Sequence, residues 1–598
     1  MSGEQKSSVW VDQAGPMNPA ANHPGFVEHS TPWGTFTALA TDEIHSIEPA
    51  SAKLPEDSYP FMDDILAALG GVKDVDHVGT GRPPLKSAVW LARSGTPFHL
   101  GIGSDYGALF PRELFQTLGP LDSRYPVQRF PNLLLAVDEV FRYQGRERDR
   151  ALDPDNYDRR NEAPGKLFHE QRDASDPIAQ EISRVTGCAW PWFAGDDITG
   201  DGVNYVMNEA ITRPSLLDHC VTQPDGSRVS YAEAVVAGIM WQLRRMVDSG
   251  RWLILSTRSQ RPPNSDWMPP IGSVWKDSPD SFLRLDGTLP VRSTALVEVQ
   301  CILYRSLRLA ARVSQANSQF ANLLGQAIHD GLGREVPTGL AKDNRRLEAY
   351  LNHLAGFVRT AFFDTFWVNN DAGGFPGYFA ELDEAGRKLV VAPVLASGVI
   401  DSVQCGLYDG EDMKERLHAV MRNIYDPAYG LRGALGPRSL GKFSPHYSPS
   451  GWAGSIWPHM NDKAAAAAAR CGFHRCAYHD SLLVYYICVM TRSTPEFVVD
   501  SDRPAIEPVR VKAWRSQPER HLTTAIEPAK PWQLWTLGAL TNSWQRAADH
   551  EQHPRQPPSD DVAKLDAELA ENLRAMLPTL PPRLRPSVVW TGREQDQG

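Results

Sequence analysis

Cysteine is scarce: seven among 598 residues, at Cys188, Cys220, Cys301, Cys405, Cys471, Cys476 and Cys488. An odd number of scattered thiols excludes a disulfide-stapled scaffold. Cys471 and Cys476, with His474 and His479 close by, lack the second tightly spaced ligand pair of a structural zinc site, so buried thiols and no metal are expected. A basic excess is missing too. The 61 Lys and Arg stand against 72 Asp and Glu, a net charge of −11, and no basic stripe could track a phosphate backbone; nucleic acid is not an expected partner. No apolar run approaches the ~20 residues of a membrane-spanning helix, and "MSGEQKSSVW" has no cationic segment leading into an apolar one. The expectation is a soluble, cytoplasmic protein with no membrane partner. Also absent are the phosphate loop GxxxxGK[ST], the zinc motif HExxH and the nucleophile elbow GxSxG. Without them no cofactor is expected, and carboxylates become the main candidates for chemistry.

What is present is globular in composition, with 42% hydrophobic and 22% charged residues, too apolar for a disordered chain. Tryptophan stands out at 17 copies. Several sit beside turn residues and acids, in "CAWPWFAGDD", "VWKDSPD" and "GWAGSIWPHMN". A flat apolar face next to hydrogen-bonding groups suits a sugar ring, so Trp192, Trp275, Trp452 and Trp457 are candidate walls of a saccharide site as well as candidate core.

Residues 1–84 are rich in Pro, Gly, Ser and acid and read as an irregular arm with one short helix at "FMDDILAAL". From 85 to 550 helical patterns alternate with Gly/Pro-rich loops. "SRVSYAEAVVAGIMWQLRRMV" carries a capping box, Ser230 and Glu233, and a stripe of Val235, Val236, Ile239, Leu243 and Met246. "TALVEVQCILYRSLRLAARV", "NRRLEAYLNHLAGFVRTAFF", "DKAAAAAARCGF" and "PWQLWTLGALTNSW" are further helices, the alanine-rich one ending at a glycine cap. Strand signals are short, "KLVVAPVL" and "EFVVD". Residues 551–598 form a linker, a helix at "VAKLDAELAENLRAML" and a polar tail. Many helices joined by aromatic-rich loops predict a mainly α chain, a helical barrel or toroid with its site built from loops at one end.

Glycoside hydrolysis needs two carboxyl groups across the scissile bond, one protonated and one ionised, and burial against an aromatic wall keeps an acid protonated. Asp277 in "GSVWKDSPDSF", two residues after Trp275, meets that demand. Asp280 and Asp286 are local rivals, and turn chemistry alone also accounts for all three.

The segment "GSVWKDSPDSFLRLDGTLPVRSTALVEVQ" resembles the Trp-Lys-Asp-Ser stretch of amylo-α-1,6-glucosidase-like proteins, related to the glucosidase domain of glycogen debranching enzyme among the (α/α)6 toroid, or six-hairpin, glycosidases. Further landmarks keep the family's order: "EAPGKLFHEQRD", "WFAGDDITGDG", "YGLRGAL", "YSPSGWAGSIWPHMN", "STPEFVVD" and "PAKPWQLWTLGAL", together spanning about 85–545. The resemblance implies an (α/α)6 fold with Asp277 as general acid and Glu496 as general base. It implies Asp105, Asp197, Trp192, Trp275, Lys276, Arg432, Trp452, Trp457 and His459 as substrate-binding groups, with His169 and Glu170 lining the pocket. The implied activity is inverting hydrolysis of an α-linked glucoside or gluco-oligosaccharide. Two departures bear on specificity: Ser104 stands where the family has an arginine, and Met460 where it has an aspartate. A lost guanidinium removes up to five donors from a hydroxyl-reading pocket. This keeps open an exo-glycosidase of other specificity, rhamnosidase-like or acting on uronic sugars. A non-catalytic carbohydrate-binding protein on a decayed hydrolase fold is the remaining alternative.

Overall fold

The computed structural model describes residues 26–31, 34–39, 109–116, 131–146, 162–171, 191, 193, 195–256, 276, 281–332, 337, 339–447, 453–491, 497–498 and 534–576. In chain order these include a hairpin, β1 (Phe26–Thr31) and β2 (Gly34–Leu39), then α1 (Pro131–Arg142) and α2 (Ile198–Thr212). A second hairpin, β3 (Cys220–Thr222) and β4 (Arg228–Ser230), leads into α3 (Tyr231–Asp248). Next come β5 (Thr294–Leu296), α4 (Val297–Ala316), α5 (Ser318–Leu332) and α6 (Asn344–Phe366). Short strands follow: β6 (Trp367–Val368), β7 (Phe375–Pro376), β8 (Phe379–Leu382) and β9 (Leu389–Val391). The remainder is α7 (Gly398–Gln404), α8 (Lys414–Tyr425), β10 (Arg432–Gly433), β11 (Gly436–Pro437), α9 (Pro458–Arg470), α10 (His474–Thr491), α11 (Leu534–Gln552) and α12 (Asp560–Met576). Residues 111–116 are also helical. The chain is mainly helical, as its periodicity predicts.

Local chemistry accounts for the helix ends. Ser230 accepts from the Glu233 amide while Glu233 accepts from the Ser230 amide at 2.7 Å, closing the predicted capping box of α3. Its apolar stripe, Val235 to Met246, is buried. The alanine-rich α9 stops before Gly472, whose φ of +85° a side chain would strain. Its small residues Ala464, Ala465, Ala467 and Ala468 are all buried, which lets α10 and α11 both pack closely on it.

Two elements differ from expectation. The arm of residues 1–84, read as irregular, contains the β1–β2 hairpin, paired from Phe26↔Leu39 to Thr31↔Gly34; the helix expected at "FMDDILAAL" lies outside the described residues. Thr294–Leu296, expected as the first turn of a helix, is instead strand β5, paired antiparallel with β8, which pairs with β9. The β-branched Thr294 and the cross-strand partners Ala380 and Phe379 override helix propensity there.

Long-range packing follows a regular succession. α2 packs on α4, α4 on α7, α7 on α9 and α9 on α11. Helical residues 111–116 touch both ends of that series. Phe115 lies 5.6 Å from Tyr205 of α2, ring to ring, and the Arg112 guanidinium lies 5.8 Å from the Trp535 ring of α11. Each of these six helical segments is followed in the chain by a partner: α1, α3, the pair α5 and α6, α8, α10 and α12. The core runs continuously between the two sets. No described helix is long and apolar enough to cross a membrane.

Candidate functional site

The first turns of four helices in this succession carry buried ionisable groups. At the start of α2, Asp197 occupies the N-cap position but its side chain makes no capping bond. It is 2% exposed, and Oδ1 has no hydrogen-bond partner among the described residues. Burial pushes its carboxyl well above the usual aspartate range, with Asp201 adding to the rise and Arg112 opposing it. One turn on, the half-buried Asp201 is pushed up to about 6, chiefly by desolvation, against the nearby Lys463, Arg305 and Arg112 charges.

α4 contributes Glu298, whose neighbours Val297 and Val299 are also buried. Its Oε1 receives the Lys276 ammonium at 3.0 Å, and its Oε2 has no partner among the described residues. Lys276 is fully buried, its Nζ 4.6 Å from the centre of the Tyr378 ring, which suits a cation–π contact. Desolvation lowers the lysine and Glu298 pulls it back. α7 approaches Glu298 through Gly398, where a Cβ would come within 2.8 Å of the carboxyl carbon. One turn into α7, Asp401 accepts from Lys463 of α9 at 3.1 Å. α9 also presents His459, whose imidazole is held well below its ordinary value by burial, then by the Lys463, Arg112 and Lys276 charges. At neutral pH it is therefore neutral, able to act as both donor and acceptor.

Aromatic rings back this cluster. His459 stacks on Trp535 at 4.4 Å and 20°, and Trp457 meets Trp535 edge-on at 5.7 Å. Phe497 packs on Trp457 at 5.0 Å, while Val498 bridges to Ile456. Trp457 and Trp535 are each 1% exposed, so Trp457 stands behind His459 as core.

Of the residues expected from sequence, Asp197, Lys276 and His459 come together here, with Trp457 behind them. Arg432 is taken up otherwise. It is 1% exposed, ion-paired with the buried Asp480 of α10, its guanidinium 5.3 Å from the Tyr425 ring of α8. Tyr425 in turn hydrogen-bonds Asp480 at 2.8 Å, so Arg432 joins helices, while its Nε and Nη1 have no hydrogen-bond partner among the described residues. His169 and Glu170 are buried, His169 edge-on to Phe110 at 5.9 Å. Asp105, Trp192, Trp275, Asp277, Trp452 and Glu496 lie outside the described residues, as do Ser104 and Asp280. Asp286 is an exposed turn acid, accepting from the Thr288 amide and hydroxyl at 2.9 and 2.6 Å.

Sequence reading missed Asp201, Glu298, Asp401, Lys463 and Arg112. Three of them sit in stretches it used only for helix placement or loop resemblance, "GDDITGDG", "ALVEVQ" and "DKAAAAAA", whereas Asp401 in "SGVIDSVQ" and Arg112 in "FPRELF" lie outside them. The available signal was a charged residue flanked by apolar or small ones in a helix's first turns. Such residues are rarely buried without a partner.

Chemically the arrangement is a water-poor acid–base site. It holds carboxyls that burial keeps protonated at mildly acidic pH, carboxylates neutralised by lysines, a neutral imidazole and an aromatic backing. In class, this is a mainly helical protein whose first helical turns assemble a buried cluster of paired acids and bases. No family model matches the chain, and no curated protein matches it. Among solved structures it is similar to a GH63 mannosylglycerate hydrolase from Thermus thermophilus in complex with Tris. The identity is 13%, covering 77% of this chain and 100% of that one, with a TM-score of 0.45. A protein described as a glycosidase, in complex with glucose, matches at 13% identity over 85% of this chain and 99% of that one, with a TM-score of 0.40. An uncharacterised conserved protein, also from Thermus thermophilus, matches at 12% identity over 77% of this chain and 98% of that one, with a TM-score of 0.43.

Proposed function

We propose that the chain is a glycoside hydrolase whose helices, over 85–550, form an (α/α)6 toroid. It acts on an α-linked glucoside or gluco-oligosaccharide by inversion, without cofactor. Asp277 is the general acid that protonates the leaving oxygen. Glu496 is the general base that takes a proton from the attacking water. The two acids are 219 positions apart (496 − 277), so the chemistry requires a ring of helices to bring their loops together. The observation that carries the reading concerns their immediate neighbours. Lys276, which precedes Asp277, is ion-paired to Glu298 and its charge acts on His459. Phe497, which follows Glu496, packs on Trp457, two residues from His459. Both segments thus reach the same cluster. The return of helical residues 111–116 onto α11 and α2 supports closure of the ring.

Within that frame Asp197 offers a hydroxyl-binding carboxyl and His459 a neutral imidazole for a second sugar hydroxyl. Inversion requires the two catalytic carboxyls about 6.5–9.5 Å apart, leaving room for water on the far face of the ring.

The test is a panel of α- and β-linked disaccharides and aryl glycosides, with the first-formed anomer followed by NMR. Asp277→Asn and Glu496→Gln each lower kcat by on the order of 10²–10⁴-fold while sugar binding persists in calorimetry. Normal turnover in either variant removes that residue from its role. A first-formed product with the anomeric configuration of the substrate refutes inversion.

A further inference from the structure

Among the described residues a second site lies away from the carboxylate cluster, in a cleft of ≈ 290 Å³ between the N-terminal part of α10 and the C-terminal half of α11. We propose that this cleft binds a small tetrahedral oxyanion, a phosphate monoester or inorganic phosphate, and takes up a proton from solution as it does so.

Three histidines line it, one from α10 (His474), one from α11 (His550) and one from the linker to α12 (His553), together with Arg546 and Arg555. The single lining acid is Asp549. Arg546 is neutralised by Asp462 at 3.0 Å and held by Ser481 at 3.1 Å, so it fixes the wall rather than adding free charge. Asp462 is itself held by Asn542 and Ser543. Arg555 is exposed and makes no ion pair among the described residues. With neutral histidines, Arg555 and Asp549 balance and the cleft carries almost no net charge. Each imidazole that gains a proton adds one, which an oxyanion would reward by drawing the proton in.

The walls also suit an organic body behind the anion. Tyr478 stacks on His550 at 4.8 Å and 29°, giving a flat face, and Ala469 and Ala477 supply the apolar remainder. Asp566 of α12 is engaged by the Arg475 and Cys476 amides at 2.9 and 3.0 Å, closing the N-terminus of α10. It still pulls the His474 imidazole upward, while burial, first, and then Arg555 and His550 push it down. His479, behind Tyr478, is held down to about 4 by burial, then by Arg574 and Arg432, and stays neutral over the range tested.

The test is calorimetric titration of the full chain with sulfate, whose charge is constant over the range, at about pH 6 and about pH 8. One linked proton tightens binding by up to roughly tenfold per pH unit, and proton uptake appears as a dependence of the measured heat on buffer ionisation enthalpy. The His553→Gln/Arg555→Gln double variant, both positions exposed, weakens sulfate roughly tenfold or more. It keeps the wild-type circular dichroism and melting temperature. A hexose 6-phosphate binding more tightly than inorganic phosphate identifies the organic ester as the ligand class; equal affinities identify the free anion. No saturable sulfate binding at the lower pH, binding without proton uptake, or unchanged affinity in the double variant overturns the proposal. None of these readouts depends on glycoside turnover, so the site stands or falls separately from the proposed hydrolysis.

Discussion

Replacing Lys276 by methionine tests whether the carboxylate cluster is held together by its charges. Lys276 is fully buried and its Nζ lies 3.0 Å from Glu298 Oε1. At an effective dielectric of about 20 the Coulomb attraction at that distance is roughly 5–6 kcal/mol. Desolvating the two ions opposes it by several kcal/mol each, so the intact pair contributes little net stability. Removing one partner is different. Methionine fills similar volume and keeps the contact with Tyr378, but Glu298 is then a buried carboxylate that has lost its nearest cation, its other oxygen already unpartnered among the described residues. The expected loss is about 3–5 kcal/mol, read as a shift of the urea midpoint. Lys276→Met combined with Glu298→Leu removes both charges and should recover most of the loss. A single-variant loss under about 1 kcal/mol, or a double variant costing the sum of its parts, refutes this account.

The raised Asp201 carboxyl predicts a pH slope of its own. With a folded value of about 6 against an unfolded one near 3.9, its contribution is full below the lower value and lost as pH rises through about 6. The loss is at most about 3 kcal/mol, less as solvent screens the half-buried side chain; urea midpoints from about pH 4 to about pH 7 should fall more steeply in wild type than in Asp201→Asn. Ser230→Ala removes the α3 capping box and should destabilise by about 1 kcal/mol, visible in the melting temperature, whereas Ser230→Asp should leave it nearly unchanged. Gly165 has a φ of +85°, and a Cβ there would fall 2.0 Å from the Ala237 carbonyl oxygen. Gly165→Ala should therefore cost about 2–4 kcal/mol, and a melting temperature equal to wild type would show that α3 can move aside.

Helix identity was legible in the sequence wherever one signal acted locally. Ser230 and Glu233 meet across one turn, and the stripe from Val235 to Met246 marks a face at helical spacing, so α3 needed nothing distant. The same holds for the alanines of α9 and the glycine that ends it. Thr294–Leu296 was read wrongly because its strand state depends on β8, more than 80 residues downstream, and no local pattern records that partner. The ion pair of Arg432 with Asp480 was out of reach for a related reason. A motif gives the residue and its order, but whether a guanidinium faces a cavity or Asp480 depends on which helix is packed beside it.

The candidate site divides along the same line. Composition and helical periodicity determined by themselves that the chain is mainly helical and that carboxylates and tryptophans carry its distinctive chemistry; Asp197, Lys276 and His459 were singled out only by the family resemblance. Only tertiary structure could decide that Lys276 with Glu298, and Asp401 with Lys463, spread over 187 positions (463 − 276), answer one another as two ion pairs. The reason is electrostatic: the energy of a charge depends on its desolvation and on its neighbours within a few ångströms, and both are properties of packed helices rather than of order along the chain. An aspartate in "GDDITGDG" is an ordinary loop acid until α4, α7 and α9 close around it, and its raised pKa belongs to that enclosure.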